Sequence, residues 1–278
     1  MRNLSKQRAG RPGFTLVELL VVIAIIAILL ALVAAGIMKF REVGPKNFTR
    51  TQLRSIKSKL DKQWKDVRDK AQTDPIPSQY LTAIQNSLVP PASGPADPRV
   101  RARYVEFRLQ RAFPRTFQEA VGVGANAPTL GNPPAANPLP AWDAYVKRLF
   151  NVLPDSTASA TEANNFESAV CLLMILEVGP QPTGVTYENF GAAADKMFTL
   201  TRTVANATTQ LGRLRGLVDG WRIPFWFTRT STGPGGNLNP TPAVLSAGVD
   251  KKFGVDPVSF NVTVSGDASD NLQTTDQL

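Results

Sequence analysis

The chemically most unusual group in this sequence is the carboxylate of Glu18, which lies in an apolar stretch. From Phe14 to Ala35 the only residues that are not apolar are Thr15 and Glu18. A carboxylate inside an apolar membrane helix costs at least about 2.5 kcal/mol on insertion scales. One interpretation is that Glu18 lies near the membrane surface or is protonated. The other is that a second chain supplies a cation as its partner.

The apolar stretch has the length of a membrane span. As a helix it would extend about 33 Å at ~1.5 Å per residue, and a bilayer core is about 30 Å thick. Four cations and no acid precede it, namely Arg2, Lys6, Arg8 and Arg11. The positive-inside rule predicts a cytoplasmic N-terminus and an exported remainder, and no second run is long enough to span.

The residue types that most catalytic sites need are scarce. The chain has no histidine and one cysteine, Cys171, which excludes Ser-His-Asp triads, Cys-His pairs, histidine metal sites and an internal disulfide. The net charge of +9 would fall to +5 without residues 1–13, so it is weak evidence for nucleic-acid binding. The basic segment 99–111 is the one candidate nucleic-acid surface, and its Tyr104 and Phe107 are expected to be core anchors. We expect neither an enzyme nor a nucleic-acid partner.

A basic leader is followed by a short motif of defined residue types, Gly13, Phe14, Thr15, Leu16, Val17 and Glu18. This junction resembles the processing signal of type IV prepilins and type II secretion pseudopilins. The resemblance implies that a prepilin peptidase cuts between Gly13 and Phe14 and methylates the new amino terminus of Phe14. It also implies that Glu18 pairs with the Phe14 ammonium of a neighbouring subunit during filament assembly.

The predicted organisation is a leader at 1–13, a transmembrane helix at 14–35 and an amphipathic continuation of that helix at 36–71. The Gly44-Pro45 pair is expected to kink or interrupt the helix. Apolar residues then recur at spacings of three or four, namely Leu53, Ile56, Leu60, Trp64, Val67 and Ala71. The basic opposite face is either a solvated helix face or a surface that meets anionic lipid or a neighbouring subunit.

Residues 72–217 are predicted to form a helical insert, and residues 218–278 a C-terminal β region. The insert has helical candidates at 77–88, 99–113, 142–150, 162–178 and 187–200, separated by proline-rich breaks. A turn that leads into a strand is predicted at 219–228, and further strands are predicted at 243–248 and 258–264. The fold class is therefore α+β and pilin-like, with a long N-terminal transmembrane helix, a helical insert and a small antiparallel C-terminal sheet.

The C-terminal region also resembles the major type II pseudopilins, which carry a D-x-W-G-x-P segment, an S-x-G-x-D-G segment and an acidic stretch that binds calcium. The first segment keeps Asp219, Trp221 and Pro224 but has Arg222 where glycine is usual. The second keeps Ser246, Gly248 and Asp250 but has Lys251 for the usual glycine.

The resemblance implies calcium as a cofactor, with carboxylates from Asp250, Asp267 and Asp270 and the remaining oxygens from loop carbonyls. The alternative is that these residues are solvated turn aspartates, as Asp-Asn-Gly-Ser clusters commonly are. Lys251 and Lys252, next to Asp250, weaken the case for a metal.

These observations together predict a structural pseudopilin of a type II secretion system. The expected partners are prepilin peptidase, other pseudopilin subunits, an inner-membrane assembly platform and membrane lipid. The protein would be a single-pass protein of the bacterial inner membrane, with its C-terminal region in the periplasm. The alternatives are a type IV pilus subunit for adhesion, motility or DNA uptake, and a membrane-anchored binding domain.

Overall fold

The structure is a computed structural model that describes residues 15–88, 90–122, 143–150, 166–180, 186–191, 194–204, 207–229, 231–232, 238–239, 242–250, 252–253 and 272–273. The chain divides into two units, Met1–Gly44 and Pro45–Leu278. The described elements are helices and small antiparallel sheets. The predicted α+β class is therefore confirmed, and the architecture is consistent with a pilin-like fold.

The first helix, α1, extends over Leu16–Thr73 and passes through Pro45. The Gly44-Pro45 pair does not interrupt the helix, contrary to one of the two expected outcomes. A proline within a helix removes the backbone N–H that would donate to the carbonyl four residues earlier. Four residues after the proline, the hydroxyl of Thr49 donates to the Pro45 carbonyl at 2.8 Å. The boundary between the two units lies at this Gly-Pro pair.

The predicted apolar stripe of α1 is buried in the second unit. Leu53, Ile56, Leu60, Trp64 and Val67 belong to the main hydrophobic core, and Ala71 to a smaller cluster with Ile84 and Tyr104. The apolar residues that repeat at helical spacing in the sequence are therefore the residues of α1 that are buried in the structure.

In the described part of the chain five shorter α-helices follow, and four of them were predicted: α2 Ser78–Ser87, α3 Pro98–Ala112, α4 Phe117–Val121, α5 Asp143–Phe150 and α6 Glu167–Val178. The short α4 was not predicted. Side-chain caps are present at the N-termini of α3 and α4. The Asp97 carboxylate accepts from the Arg99 N–H before α3, and the Thr116 hydroxyl accepts from the Glu119 N–H before α4.

The helix at the centre of the second unit is α6. Every residue from Ser168 to Leu176 is buried, which explains why the sequence is apolar around the whole helix. The side-chain amide of Gln63 on α1 donates to the Ile175 carbonyl at 3.0 Å. The Ser168 hydroxyl accepts from the Phe227 N–H at 2.5 Å. These bonds join α6 to α1 on one side and to the C-terminal sheet on the other.

The last part of the predicted helical insert is a β-hairpin, so the helix predicted at 187–200 is wrong. A short 3-10 helix, Tyr187–Phe190, is followed by β1 Asp195–Val204, which pairs antiparallel with β2 Ala207–Leu217. Strand β1 is rich in threonine, whose branched Cβ favours strands. A Cβ on Gly216 would lie 3.1 Å from the Val170 backbone nitrogen, so glycine permits the close approach of β2 to α6.

The C-terminal sheet has the order β3-β6-β7, with β3 Trp226–Thr228, β6 Ala243–Ser246 and β7 Leu272–Gln273 in antiparallel pairs. A second small pair consists of β4 Ser231–Thr232 and β5 Leu238–Asn239. The predicted strands at 219–228 and 243–248 correspond to β3 and β6. The strand predicted at 258–264 lies outside the described residues.

Candidate functional site

The N-terminus of α1 holds Glu18 in a reciprocal pair with Thr15. The Thr15 backbone N–H and hydroxyl each donate to the Glu18 carboxylate at 2.9 Å, and the Glu18 N–H donates to the Thr15 hydroxyl at 3.2 Å. This is the capping-box arrangement, in which two otherwise unpaired helix donors are satisfied. The sequence reading missed the role of Thr15, although its three-residue spacing from Glu18 is the signature of such a box. Gly13 and Phe14 lie outside the described residues.

The apolar residues that follow Glu18 are exposed. Among the described residues, one helical stretch is long and apolar enough to cross a membrane, Leu16–Ala34, with a mean hydropathy of 3.3 and none of it buried. Large side chains along it, such as Ile28 and Leu32, are 61% and 66% exposed. Exposure of so much apolar surface to water is unfavourable, so we expect lipid or another apolar helix to cover it.

The second place of interest is the turn at Asp219, between β2 and β3. Asp219 is fully buried, and its carboxylate accepts from the Trp221 and Ile223 N–H groups at 3.0 and 2.9 Å. The Ser246 hydroxyl on β6 donates to the other carboxylate oxygen at 2.6 Å. The two segments that resemble major pseudopilins, distant in sequence, therefore meet at one buried carboxylate.

The same turn contacts the start of the second unit's part of α1. The Gly220 N–H donates to the Thr49 hydroxyl at 2.9 Å, and that hydroxyl donates to the Pro45 carbonyl. A Cβ on Gly220 would lie 2.3 Å from the Pro45 carbonyl oxygen. Only glycine fits this approach, so the turn fixes the sheet to the helix at Pro45.

Arg222 has the backbone conformation of a glycine. Its φ is +68°, and it is the one residue other than glycine with positive φ among those that the structure describes. This is the position where the major pseudopilin segment usually has glycine. The left-handed conformation costs an ordinary residue about 1–2 kcal/mol, so the departure in sequence is accompanied by backbone strain.

Of the three carboxylates predicted to bind calcium, Asp250 alone belongs to the part of the chain that the structure describes. Asp250 is exposed in the turn after β6, where its carboxylate accepts from the Lys252 N–H at 2.8 Å. Asp267 and Asp270 lie outside the described residues. Within the described ranges no group of three or more His, Cys, Asp or Glu residues could hold a metal ion. Calcium at this end of the chain stays a prediction.

A buried charge cluster was missed by the sequence reading. The Glu119 carboxylate, on a residue 5% exposed, contacts the guanidinium of Arg115 at 3.0 Å and that of Arg229 at 3.0 and 3.1 Å. Arg229 also donates to the Gln110 and Phe113 carbonyls at 3.3 Å. Burial lowers the pKa of Arg229. No local spacing could have predicted a pair separated by more than a hundred residues.

Three other residues considered in the sequence analysis, Tyr104, Phe107 and Cys171, are buried in the protein core. Tyr104 and Phe107 of α3 are 1% and 2% exposed, as expected of core anchors. Cys171 is fully buried in α6, and burial raises the pKa of its thiol well above the ordinary value. A buried, protonated thiol is a poor nucleophile.

Comparison with known proteins covers the N-terminal segment. Residues 8–34 match the family model described as the prokaryotic N-terminal methylation motif. The chain carries this methylation motif. The match confirms the predicted processing signal and supports a type IV pilin-like or pseudopilin protein, with Leu16–Ala34 as the membrane anchor. No curated protein and no solved structure matched the chain.

Proposed function

We propose that this protein is a structural pseudopilin of a type II secretion system. A prepilin peptidase cuts it between Gly13 and Phe14, and the mature chain assembles with other pseudopilins into a periplasmic pseudopilus. The methylation motif at 8–34 supports processing and assembly, and it fits a structural role rather than an enzymatic one. The motif alone fits a pilus subunit equally well.

The observation that favours secretion over a pilus is the contact between Asp219 and Ser246. Each belongs to a segment that resembles the major pseudopilins, and the Ser246 hydroxyl donates to the buried Asp219 carboxylate at 2.6 Å. The two segments that resemble the major pseudopilins are therefore joined by a hydrogen bond and are not independent stretches of sequence.

In the proposed filament Glu18 accepts a further donor from a neighbouring subunit. Its carboxylate already accepts from Thr15 within the chain, and a carboxylate has room for further hydrogen bonds. The Phe14 ammonium of a neighbouring subunit would complete its neutralisation within the apolar environment. Inner-membrane lipid and the assembly platform would cover the rest of the exposed helix.

The role of Glu18 can be tested by replacing it with alanine in the native host. Processing to Phe14 should continue, because the cleavage site is unchanged, while cross-linked multimers should fall at least about ten-fold, because an unpaired ammonium in lipid costs at least about 2.5 kcal/mol. Asp61→Ala, which removes a half-exposed carboxylate from the part of α1 outside the membrane stretch, is the matched control and should assemble normally. Normal assembly of the Glu18→Ala protein would refute the pairing.

The choice between secretion and a pilus can be tested by deleting the gene. A secretion subunit predicts that exported proteins accumulate in the periplasm while surface filaments, twitching and DNA uptake continue. Loss of surface filaments with normal secretion would assign the protein to a pilus instead. The intact chain should restore the lost function when it is supplied to the deletion strain. The Glu18→Ala chain, which is not expected to assemble, should not restore it, and this difference would link the defect to assembly.

A further inference from the structure

Arg222, the residue with the strained backbone, lies in the turn that packs on the first part of α1 in the second unit. The turn contacts Pro45 and Thr49 through Gly220, and the side chain of Arg222 is exposed. Backbone strain at an ordinary residue concentrates at functional sites, where the use of the side chain offsets its cost. Arg222 is therefore a candidate binding residue at this end of the second unit.

Two more cations, Lys46 and Arg50, lie on the same part of α1. Both are exposed, and they directly follow Pro45 and Thr49, which the turn contacts. Their spacing of four residues makes them neighbours on the helix surface. Neither forms an ion pair with any residue that the structure describes. Lys46, Arg50 and Arg222 together form a basic surface where α1 enters the second unit.

Few acids accompany these cations in the sequence. Between Ala34 and Asp61 there are seven Lys and Arg residues and a single acid, Glu42. The acid of the turn, Asp219, is fully buried, and its carboxylate accepts from the Ser246 hydroxyl and from two N–H groups of the turn. The basic surface therefore presents an excess of positive charge to solvent.

The basic surface is also close in sequence to the membrane anchor. Apolar residues continue beyond Ala34 as far as Met38, and Lys46 and Arg50 follow Met38 by about 12 and 18 Å of helix at ~1.5 Å per residue. The headgroup layer extends roughly 5–7 Å beyond the hydrocarbon core, and long Lys and Arg side chains reach back towards it. Anionic headgroups attract cations over about a further 8 Å, the Debye length at physiological ionic strength. Both side chains are therefore within reach of lipid.

In the proposed orientation this part of the chain lies on the exported side of the membrane. Lys and Arg are disfavoured within about 15–20 residues of the exported end of a span. Five cations nevertheless lie within that range, namely Lys39, Arg41, Lys46, Arg50 and Arg54. A basic segment at a place where cations are disfavoured indicates that its charge has a function there.

We propose that Lys46, Arg50 and Arg222 bind the headgroup phosphate of anionic phospholipids in the membrane that holds α1. The ammonium and the two guanidiniums donate charge-assisted hydrogen bonds to phosphate oxygens, and one guanidinium matches two of these oxygens at once. Arg222 supplies a charge that glycine could not supply, and its strained backbone is the cost. The lipid site goes beyond the proposed function and rests on its orientation of the chain.

The lipid to be tested is phosphatidylglycerol, and the comparison is phosphatidylcholine, which has the same phosphate but no net charge. The full chain is reconstituted in nanodiscs with equal amounts of the two lipids and released into mild detergent. Native mass spectrometry then counts the lipids that it retains. The wild type should retain phosphatidylglycerol preferentially, and the preference should fall as ammonium acetate rises from about 50 to 500 mM, since salt screens exposed charges.

Single variants test the three cations. Lys46→Gln, Arg50→Gln and Arg222→Gly should each lower phosphatidylglycerol binding about five-fold, the usual contribution of one cation near an anionic membrane surface. Arg222→Gly is the most informative, because glycine relaxes the backbone, and a loss of binding in a protein without that strain cannot come from unfolding. Lys62→Gln removes the same charge from an exposed position further along α1 and should bind as the wild type does.

All these proteins keep the leader and its cations, so any difference between them comes from the second unit. Equal retention of the two lipids by the wild type would overturn the proposal. Unchanged retention in Lys46→Gln, Arg50→Gln and Arg222→Gly would do the same, and so would an equal loss in Lys62→Gln, which would reduce the effect to net charge.

The competing occupant is a neighbouring subunit. If cross-linked multimers disappear in Lys46→Gln while lipid retention is unchanged, the basic surface contacts that subunit and the lipid proposal is wrong. The lipid measurement requires no processing, so its failure leaves the proposed pseudopilin function standing. A chain that still starts at Met1 in its host would in turn leave the lipid result unchanged.

Discussion

At the scale of single residues, the turn from Asp219 to Pro224 has one backbone position under strain and one with no room for a side chain. Arg222 adopts a left-handed conformation, and Gly220 lies against the Pro45 carbonyl. The buried Asp219 carboxylate holds both in place through the Trp221 and Ile223 N–H groups. We therefore expect glycine in place of Arg222 to stabilise the folded protein and alanine in place of Gly220 to destabilise it.

Arg222→Gly should stabilise the folded protein by about 1 kcal/mol, because glycine adopts positive φ without a Cβ clash. Thermal unfolding followed by circular dichroism measures this as a higher Tm. Arg222→Ala is the matched control, because it removes the same side chain but keeps the strained backbone. If alanine raised the Tm as much as glycine, the gain would come from the lost side chain and not from φ.

Gly220→Ala should destabilise the protein by about 1–3 kcal/mol, because the new Cβ would overlap the Pro45 carbonyl oxygen, at 2.3 Å. Gly94→Ala is the control, since nothing lies within 4 Å of a Cβ there. Urea unfolding of both variants gives the comparison. An unchanged midpoint for Gly220→Ala would show that the turn does not lie against the helix.

At the scale of elements, the central feature is α6, which is buried along most of its length. Glu167 lies in its first turn, where burial raises the carboxyl pKa above its ordinary value of 4.5, opposed by the Phe117 N–H and reinforced by the charge of Glu119. A carboxyl with a raised pKa binds more protons in the folded state. Its contribution to stability therefore falls as the pH rises above 4.5.

Glu167→Gln should remove this dependence. We expect the Tm of the wild type to fall relative to that of the variant as the pH rises from 4.5 to neutrality, and the variant to be the more stable protein at pH 7. Glu188→Gln changes an exposed carboxyl and serves as the control. Parallel Tm curves for the wild type and Glu167→Gln would contradict the assigned burial effect.

The sequence predicts elements well where burial is periodic and poorly where it depends on distant partners. Leu53, Ile56 and Leu60 repeat at helical spacing, and α1 follows from them directly. The first part of β1 was predicted as the end of a helix at 187–200, because Phe190, Met197 and Phe198 also fit helical spacing and the strand that pairs with β1 comes later in the chain. Local patterns do not encode such pairings.

In the candidate site, too, some residues could be predicted from local sequence and others could not. Glu18 stands out because its charge interrupts an apolar run, and the processing motif is contiguous in sequence. Family resemblance singled out the two segments that contain Asp219 and Ser246, but neither their contact nor the cluster of Glu119 with Arg229 was predicted from the sequence. Both depend on tertiary contacts between residues far apart in the chain.

At the scale of the whole molecule, the chain combines a membrane-spanning helix with a folded second unit. The apolar surface of Leu16–Ala34 is unburied within the chain, while the second unit has its own core. The methylation motif at 8–34 implies that such an anchor is cleaved and methylated before assembly. Removal of the leader would take away the four cations before the span and create the amino terminus that the proposed pairing with Glu18 requires.

The central claim is therefore tested most directly by the intact mass and N-terminal sequence of the protein isolated from its native membrane. The account predicts a mature chain that starts at Phe14, with a methyl group on its amino nitrogen. A chain that still starts at Met1, in cells whose prepilin peptidase processes other substrates, would contradict it. The motif would then be a membrane anchor only, and the proposed filament subunit would have to be abandoned.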